Sequence, residues 1–474
     1  MTKTLTPDIC VIGAGSGGLT VAAVAAAFNV PVVLIEKGKM GGDCLNYGCV
    51  PSKALIAAGK QAQAIRDGAK FGISAGDPVV DFEQVHKHVH DVIAEIAPHD
   101  SVERFEGLGV TVIQEAARFI DHETVQAGDV TVKARRFVIA TGSSAALPPV
   151  EGLDDVPYLT NETVFDLTEQ PEHLIVIGGG PIGMELAQAH HRLGSRVTVL
   201  EAFKALGKDD PELTSIVLDR IRSEGVDIRE GVRIARVESL DEGIRVVLEH
   251  DGGELALDGD RLLVAAGRAP NITGLGLDEA GIKHDKRSVL VDRSLRTSNR
   301  KVYAIGDVIG GLQFTHVASY HATLVIQQIL FRLPAKEDRS IIPWATYTDP
   351  EIAHIGLTEE DARKAHGTIS VLRWPYSEND RAQAEKKTTG LIKIITDKKG
   401  RILGVSIVGD KASEMINMWS LVVSQKQSVG KVKGFISPYP TMTEIGKRAA
   451  VTFFKDFPSK PLVGYIIRML RVFG

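Results

Sequence analysis

The sequence predicts an α/β chain with two Rossmann-like dinucleotide-binding domains followed by a C-terminal α+β module. Three observations carry this. A strand–glycine turn–helix–strand unit occurs twice, an acid stands at the same offset in both copies, and alternating strands begin after Pro343. The length agrees, because 474 residues are too many for one core and suit three domains at about 150 residues each.

The first unit runs Asp8-Ile9-Cys10-Val11-Ile12, then Gly13-Ala14-Gly15-Ser16-Gly17-Gly18, an Ala-rich helix through Phe28, and Pro31-Val32-Val33-Leu34-Ile35-Glu36. The second runs Leu174-Ile175-Val176-Ile177, then Gly178-Gly179-Gly180-Pro181-Ile182-Gly183, a helix through Leu193, and Arg196-Val197-Thr198-Val199-Leu200-Glu201. In both, Glu follows the last glycine by 18 positions. The first glycine permits a tight turn, the second admits a pyrophosphate against backbone, and the third lets helix and strand pack closely. Phosphates then meet the free N–H groups of the helix N-terminus, and the Glu accepts from a ribose diol. Two complete copies predict two bound dinucleotides. Residues 51–115 read as helices on one side of the first fold. Pro148 and Pro149 mark a boundary before the second, and Gly390-Leu391-Ile392-Lys393-Ile394-Ile395 reads as a strand of the last module.

Composition excludes several classes. The 55 basic and 60 acidic side chains nearly cancel, unlike the basic excess of a nucleic-acid binder. No apolar run approaches the ~20 residues that span a bilayer. The N-terminal Met-Thr-Lys-Thr-Leu-Thr-Pro-Asp leads almost at once into a core strand, so no signal peptide is expected and the location is read as cytoplasmic.

There are three cysteines. Cys10 reads as a small core residue, whereas Cys44 and Cys49 lie in Gly41-Gly42-Asp43-Cys44-Leu45-Asn46-Tyr47-Gly48-Cys49-Val50-Pro51-Ser52-Lys53. In a reducing compartment such a pair is catalytic or metal-binding rather than structural. A closed zinc site wants four ligands, and no second cysteine pair completes one. On a regular helix, residues five apart have Cα atoms roughly 8–9 Å apart, beyond the ~7 Å a disulfide spans. The chain must therefore bend if the two sulfurs are to pair, and Gly48 allows it. Pro51 suits the first turn of the next helix, whose dipole would favour a nearby thiolate.

This segment resembles the active-site motif of the flavin-dependent pyridine nucleotide-disulfide oxidoreductases (class I), a family that includes dihydrolipoamide dehydrogenase and mercuric reductase. Similar matches span nearly the whole chain: Phe137-Val138-Ile139-Ala140-Thr141-Gly142, Val264-Ala265-Ala266-Gly267-Arg268-Ala269-Pro270-Asn271, Val302-Tyr303-Ala304-Ile305-Gly306-Asp307 and Pro440-Thr441-Met442-Thr443-Glu444. The resemblance implies an FAD-binding domain (1–150), an NAD(P)-binding domain (151–268), a return to the FAD domain (269–342) and a C-terminal dimerisation domain (343–474). It implies FAD contacts at Gly13, Gly15, Ser16, Gly18, Glu36, Lys37, Gly42, Asp43, Cys44, Lys53, Ala117, Thr141, Gly142, Ser143, Asp307, Phe314 and Thr315. Nicotinamide dinucleotide contacts are implied at Gly178, Gly180, Pro181, Ile182, Glu201 and Gly267. Hydride would pass to the flavin, then to Cys49 against the ring, with Cys44 as the interchange thiol of a redox-active disulfide and Lys53 paired with Glu185. A homodimer would bring Tyr439 and Glu444 to the partner's disulfide. Glu201 repels a 2′-phosphate and no arginine follows it closely, so NAD(H) is expected over NADP(H).

One departure concerns the base. Most members place a His-Glu pair beside the disulfide; here Glu444 matches the acid, but Tyr439 stands where the His is expected. A phenol near pKa 10 is a poor base at neutral pH, though a workable donor or clamp. Mercuric reductases also carry a tyrosine there, but they have a C-terminal cysteine pair that this chain lacks. The expected acceptor is a small disulfide, dithiol or soft electrophile. The alternatives are a mercuric-reductase-like metal reductase and a slow flavoprotein redox sensor.

Two weaker signals remain. His86, His88 and His90 sit on a predicted helix and read as a solvated face, with a metal pair at His86 and His90 as the rival. The apolar, arginine-bearing tail Pro461–Phe473 is expected to dock on its own protein, with a membrane surface as the rival.

Overall fold

The computed structural model describes residues 3–250 and 252–474, so the first two residues of the N-terminal run lie outside the described residues. The chain divides into two compact units: residues 1–69, 73–202 and 229–337 in one, and 70–72, 203–228 and 338–474 in the other.

The first unit contains both dinucleotide folds. One parallel sheet orders Val302–Ala304, Arg136–Ile139, Ile9–Ile12, Val32–Ile35 and Thr111–Ile113. Its central strands are buried along their whole length, which explains apolar runs in place of alternation. Cys10 lies in this core, and burial pushes its thiol far up. The other sheet places Tyr158–Leu159, Arg261–Val264, His173–Ile177 and Arg196–Glu201 side by side, also parallel. In each copy the third glycine is dictated by close approach. A Cβ on Gly18 would lie 1.9 Å from the Gly13 carbonyl oxygen, and one on Gly183 would lie 2.0 Å from that of Gly178.

The region 51–115 differs in part from expectation. Helices Cys49–Asp67, Phe82–Ile96 and Val102–Gly107 are present, but Thr111–Ile113 is an edge strand. Its β-branched residues pair with Val33–Ile35 and extend the parallel sheet. Helix Cys49–Asp67 packs along helix Pro181–Arg192 and so bridges the two folds. A Cβ on Gly59 would meet the Ala189 carbonyl oxygen at 3.2 Å, and Arg66 donates to the Arg192 carbonyl at 2.7 Å.

The second unit has an antiparallel sheet ordered Trp344–Thr346, Glu351–Gly356, Ile402–Gly409, Leu391–Asp397 and Ile369–Pro375. Helices Ala412–Ser424 and Glu444–Thr452 cover it through Trp419, Met415, Ile416, Ile445 and Ala449. Lys393 is buried in this sheet, with Asp210, Glu212 and Glu359 at 2.7, 3.0 and 2.7 Å. Burial works against its charge, but hydrogen bonds to Asp210, Glu359 and Glu212 outweigh it and hold the ammonium above its ordinary value. The tail forms helix Pro461–Leu470. The expected docking on its own protein is not seen, for no residue of the helix is buried. Among the described residues no helix is long and apolar enough to cross a membrane.

Candidate functional site

The two glycine turns have matching geometry. Helix Ser16–Ala27 and helix Pro181–Arg192 each start after an extended glycine, without a side-chain cap and without an acid in the first turn. Their first N–H groups are thus free for an anion. A Cβ on Gly15 or Gly180 would meet nothing within 4 Å, so both middle glycines face open space. At the second strand's end, Glu36 accepts from the Ala14 N–H at 2.6 Å and the Gly38 N–H at 2.7 Å; Glu201 accepts from Gly179 N–H at 2.7 Å. The acid thus ties the strand end to the glycine turn. Each carboxylate oxygen has a second lone pair for a ribose hydroxyl. Lys37 is exposed between Glu36 and Gly38. Pro181 takes the first helical position, and Ile182 follows, 37% exposed. These features fit two dinucleotides, one at each glycine turn.

The cysteines lie where the chain bends. A short helix, Gly42–Asn46, carries Cys44; the longer helix Cys49–Asp67 begins with Cys49, and Gly48 interrupts them. A Cβ on Gly48 would lie 2.9 Å from Asp43 Oδ2 and 3.0 Å from the Asp43 carbonyl oxygen. Both cysteines are present as thiols, and their side chains hydrogen-bond each other. The Thr315 hydroxyl reaches Cys49 Sγ at 3.3 Å. The hydrogen bond from Cys44 lowers the Cys49 thiol most. Desolvation opposes this, but Thr315 and the Lys53 charge add to it, and the pKa falls to about 6. The same bond raises Cys44, and desolvation adds to the rise. The negative charge therefore belongs to Cys49 and the proton to Cys44.

Lys53, one turn into the same helix, pairs with Glu185 Oε2 at 2.8 Å. Thr315 starts helix Thr315–Phe331 and Phe314 is its N-cap, stacked on His316 at 5.3 Å between centroids. Ser16 Oγ donates to the Thr315 carbonyl, joining the first glycine turn to the cysteine region. Thr141 and Asn271 exchange hydrogen bonds at 2.8 and 3.0 Å, and Gly142 (φ +67) leaves open space beside them. Ala117 opens a strand that pairs with Ala127 in a separate mixed sheet.

Sequence reasoning missed an arginine-centred network. Arg268, just after Gly267 and only 11% exposed, lies 3.0 Å from Asp43, donates to Ser143 Oγ at 2.7 Å and sits 3.7 Å from Asp307. Ser143 donates to Asp307 at 2.6 Å, and Asn161 donates to Asp43 at 3.0 Å. Burial raises the Asp307 carboxyl above its ordinary value against the Ser143 hydrogen bond and the Arg268 charge. Arg268 lies in the Val264–Asn271 segment, yet Asp43 and Ser143 lie more than a hundred positions from it. Also missed was the buried pair His321–Glu337 at 3.1 Å, whose other ring nitrogen accepts from the Gly306 N–H.

In the other unit, Tyr439 is 70% exposed and its hydroxyl donates to Asp380 Oδ2 at 2.8 Å. That bond and the Asp380 charge raise the phenol further above neutrality. Glu444 accepts from Arg448 at 3.0 Å rather than pairing with Tyr439. His86 and His90 stack at 4.2 Å, and His90 Nε2 lies 3.1 Å from the Phe165 carbonyl oxygen. Among the described residues no group of three or more His, Cys, Asp or Glu is placed to hold a metal.

Residues 7–322 match the family described as pyridine nucleotide-disulphide oxidoreductase, and residues 342–450 match its dimerisation domain. The chain is 35% identical over 452 residues to the mercuric reductase of Lysinibacillus sphaericus, covering 95% of this chain and 83% of that one. It is 34% identical over 452 residues to the dihydrolipoyl dehydrogenase of Geobacillus stearothermophilus, covering 94% and 95%. The HOCl-induced flavoprotein disulfide reductase RclA of Escherichia coli superposes with a TM-score of 0.85 at 28% identity, over 94% of this chain and 99% of that one.

Proposed function

The chain belongs to the pyridine nucleotide-disulphide oxidoreductase family, and we propose that it draws electrons from NADH and passes them through Cys44 and Cys49 to a small disulfide or soft electrophile. It is an FAD-dependent enzyme of that class. Bound FAD supplies the two-electron exchange between a nicotinamide and a sulfur couple. The observation that carries the reading is the placement of two hydrogen-bonded sulfurs at a helix start, with the Thr315 hydroxyl on Cys49 and the Lys53–Glu185 pair one turn on. Cys49, at a helix N-terminus beside Thr315 and Lys53, favours the thiolate, while Cys44 keeps its proton.

With a disulfide acceptor, Cys49 thiolate takes the Cys44 proton across their hydrogen bond, Cys44 thiolate attacks one acceptor sulfur and forms a mixed disulfide, and the proton passes from Cys49 to the leaving thiolate. Cys49 thiolate then attacks Cys44 sulfur, closes the Cys44–Cys49 disulfide and releases the second thiolate, which takes a proton from water. The acceptor gains two electrons and the cysteine pair loses two. Lys53 holds the thiolate's field in place and is itself held by Glu185. The Arg268–Asp307–Ser143 network orients the polar groups on the FAD side.

Supporting NADH is Glu201, whose carboxylate beside a ribose would repel a 2′-phosphate. The dimerisation-domain match supports a homodimer in which Tyr439 and Glu444 meet the partner's disulfide. We place the enzyme in the cytoplasm, with FAD held by 1–150 and 269–342 and the nicotinamide dinucleotide by 151–268.

A second reading, reduction of a soft metal ion, draws on Tyr439, which offers no base for a dithiol, and on the likeness to a mercuric reductase. An acceptor screen with Hg(II), lipoamide and glutathione disulfide separates the readings, using NADH and NADPH as donors in parallel. Replacing Cys44 or Cys49 by serine should abolish turnover with the accepted substrate. Undiminished turnover in either variant, or a clear NADPH preference, overturns the corresponding part.

A further inference from the structure

The last helix gathers its cations on one side, bordered by Ile467, and carries most of its apolar side chains on the rest. Lys460, Gly464, Arg468 and Arg471 recur at spacings of three and four, so they share one side of Pro461–Leu470 and its flanks. Leu462, Ile466 and Met469 share the other, with Leu470 beside them and Val472 and Phe473 following. These side chains stand open to solvent, from 42% exposed at Ile466 to 81% at Phe473. Such a surface is uncommon on a protein that is otherwise ordinarily patterned. Residues 457–474 hold three cations and no Asp or Glu, in a chain whose net charge is −5. The family's dimerisation domain ends at residue 450, so this segment lies beyond it.

We propose that helix Pro461–Leu470 is a membrane-surface anchor that lies in the plane of an anionic lipid bilayer. Ten residues make a helix about 15 Å long, far short of a span. A narrow basic stripe beside a broad apolar face is the arrangement of an interfacial helix, with apolar side chains among the acyl chains and cations at the headgroups. Charge decides between lipid and a second copy of this chain. Two such helices face to face would bring cationic rims together, with no carboxylate in the segment to neutralise them; anionic headgroups neutralise both arginines and Lys460.

The test is flotation of the FAD-loaded enzyme with phosphatidylcholine vesicles, with and without phosphatidylglycerol, at low and high salt. Binding is expected only with phosphatidylglycerol and should weaken with salt. At about 1 kcal/mol per basic residue near the surface, the double variant Arg468→Gln, Arg471→Gln should bind about 30-fold more weakly. Ile466→Asp with Met469→Asp should abolish binding. Both variants should keep wild-type NADH oxidation, which confirms folding. Absence of binding to anionic vesicles at low salt overturns the proposal, as does binding that neither variant weakens. If instead the Asp variant lowers the solution mass of the enzyme and vesicles bind neither form, the face is covered by a second copy and the proposal also falls.

Discussion

The hydroxyl of Thr315 adds to the Cys44 hydrogen bond in favouring the Cys49 thiolate, and removing it has a calculable effect. It lies 3.3 Å from Cys49 Sγ, and when Cys49 is a thiolate the hydroxyl must donate. A hydrogen bond to a charged group is worth about 1.5–3 kcal/mol, and one pKa unit corresponds to about 1.4 kcal/mol. Because Cys49 is exposed, water replaces part of the lost bond, which places the effect at the low end, about one unit. Thr315→Ala should therefore raise Cys49 from about 6 toward about 7. At pH 6 the thiolate fraction would fall from about half to about a tenth. The assay is the pH dependence of iodoacetamide alkylation in freshly reduced enzyme, with the adduct mapped to Cys49. Thr315→Ser keeps the hydroxyl and should restore the original midpoint. An unshifted midpoint in the Ala variant, or equal shifts in both, refutes the assignment of the hydroxyl as thiolate donor.

His190 is fully buried, and burial lowers it to about 4. Its folded pKa lies below the unfolded value of about 6.5, so its contribution is complete above that value and is lost as pH falls toward 4. The loss amounts to about 3 kcal/mol; urea melts of His190→Met should show a shallower decline between pH 6.5 and 4, and parallel curves would contradict this. Lys393→Met leaves the buried Asp210 carboxylate without its cation, while Glu212 keeps Arg373 and Glu359 keeps Arg363. It should cost about 3–5 kcal/mol, read as a lower thermal midpoint, and an unchanged midpoint would show that the cluster is dispensable. Tyr439→His supplies a base that Asp380 can orient, so oxidation of dihydrolipoamide at neutral pH should rise about tenfold or more; no rise means the missing base is not limiting.

What was legible in the sequence is what local spacing encodes. The glycine turns, the two acids, the kink at Gly48 and the thiol at a helix start all depend on residues within a few dozen positions of each other. The structure places them as the spacing implies. Arg268 was not legible because its meaning lies in Asp43, Ser143 and Asp307, which only the closed sheet topology brings within reach. Thr315 is separated from Cys49 by 266 positions, and no periodicity reports such a contact. Thr111–Ile113 is too short to carry a pattern of its own, and its identity as a strand comes from Val33–Ile35 beside it. The docking expected of the tail rested on apolarity alone, which does not say what covers a surface.

Gly59 couples the two dinucleotide folds mechanically. Its bare Cα lets the helix that begins with Cys49 rest on the Ala189 backbone of the helix that begins at the second glycine turn. One added methyl group there would sit 3.2 Å from the Ala189 carbonyl oxygen, so the two helices would have to yield slightly at this contact. Because one helix starts with Cys49 and the other at the second glycine turn, the absent side chain at Gly59 fixes how near those two helices run.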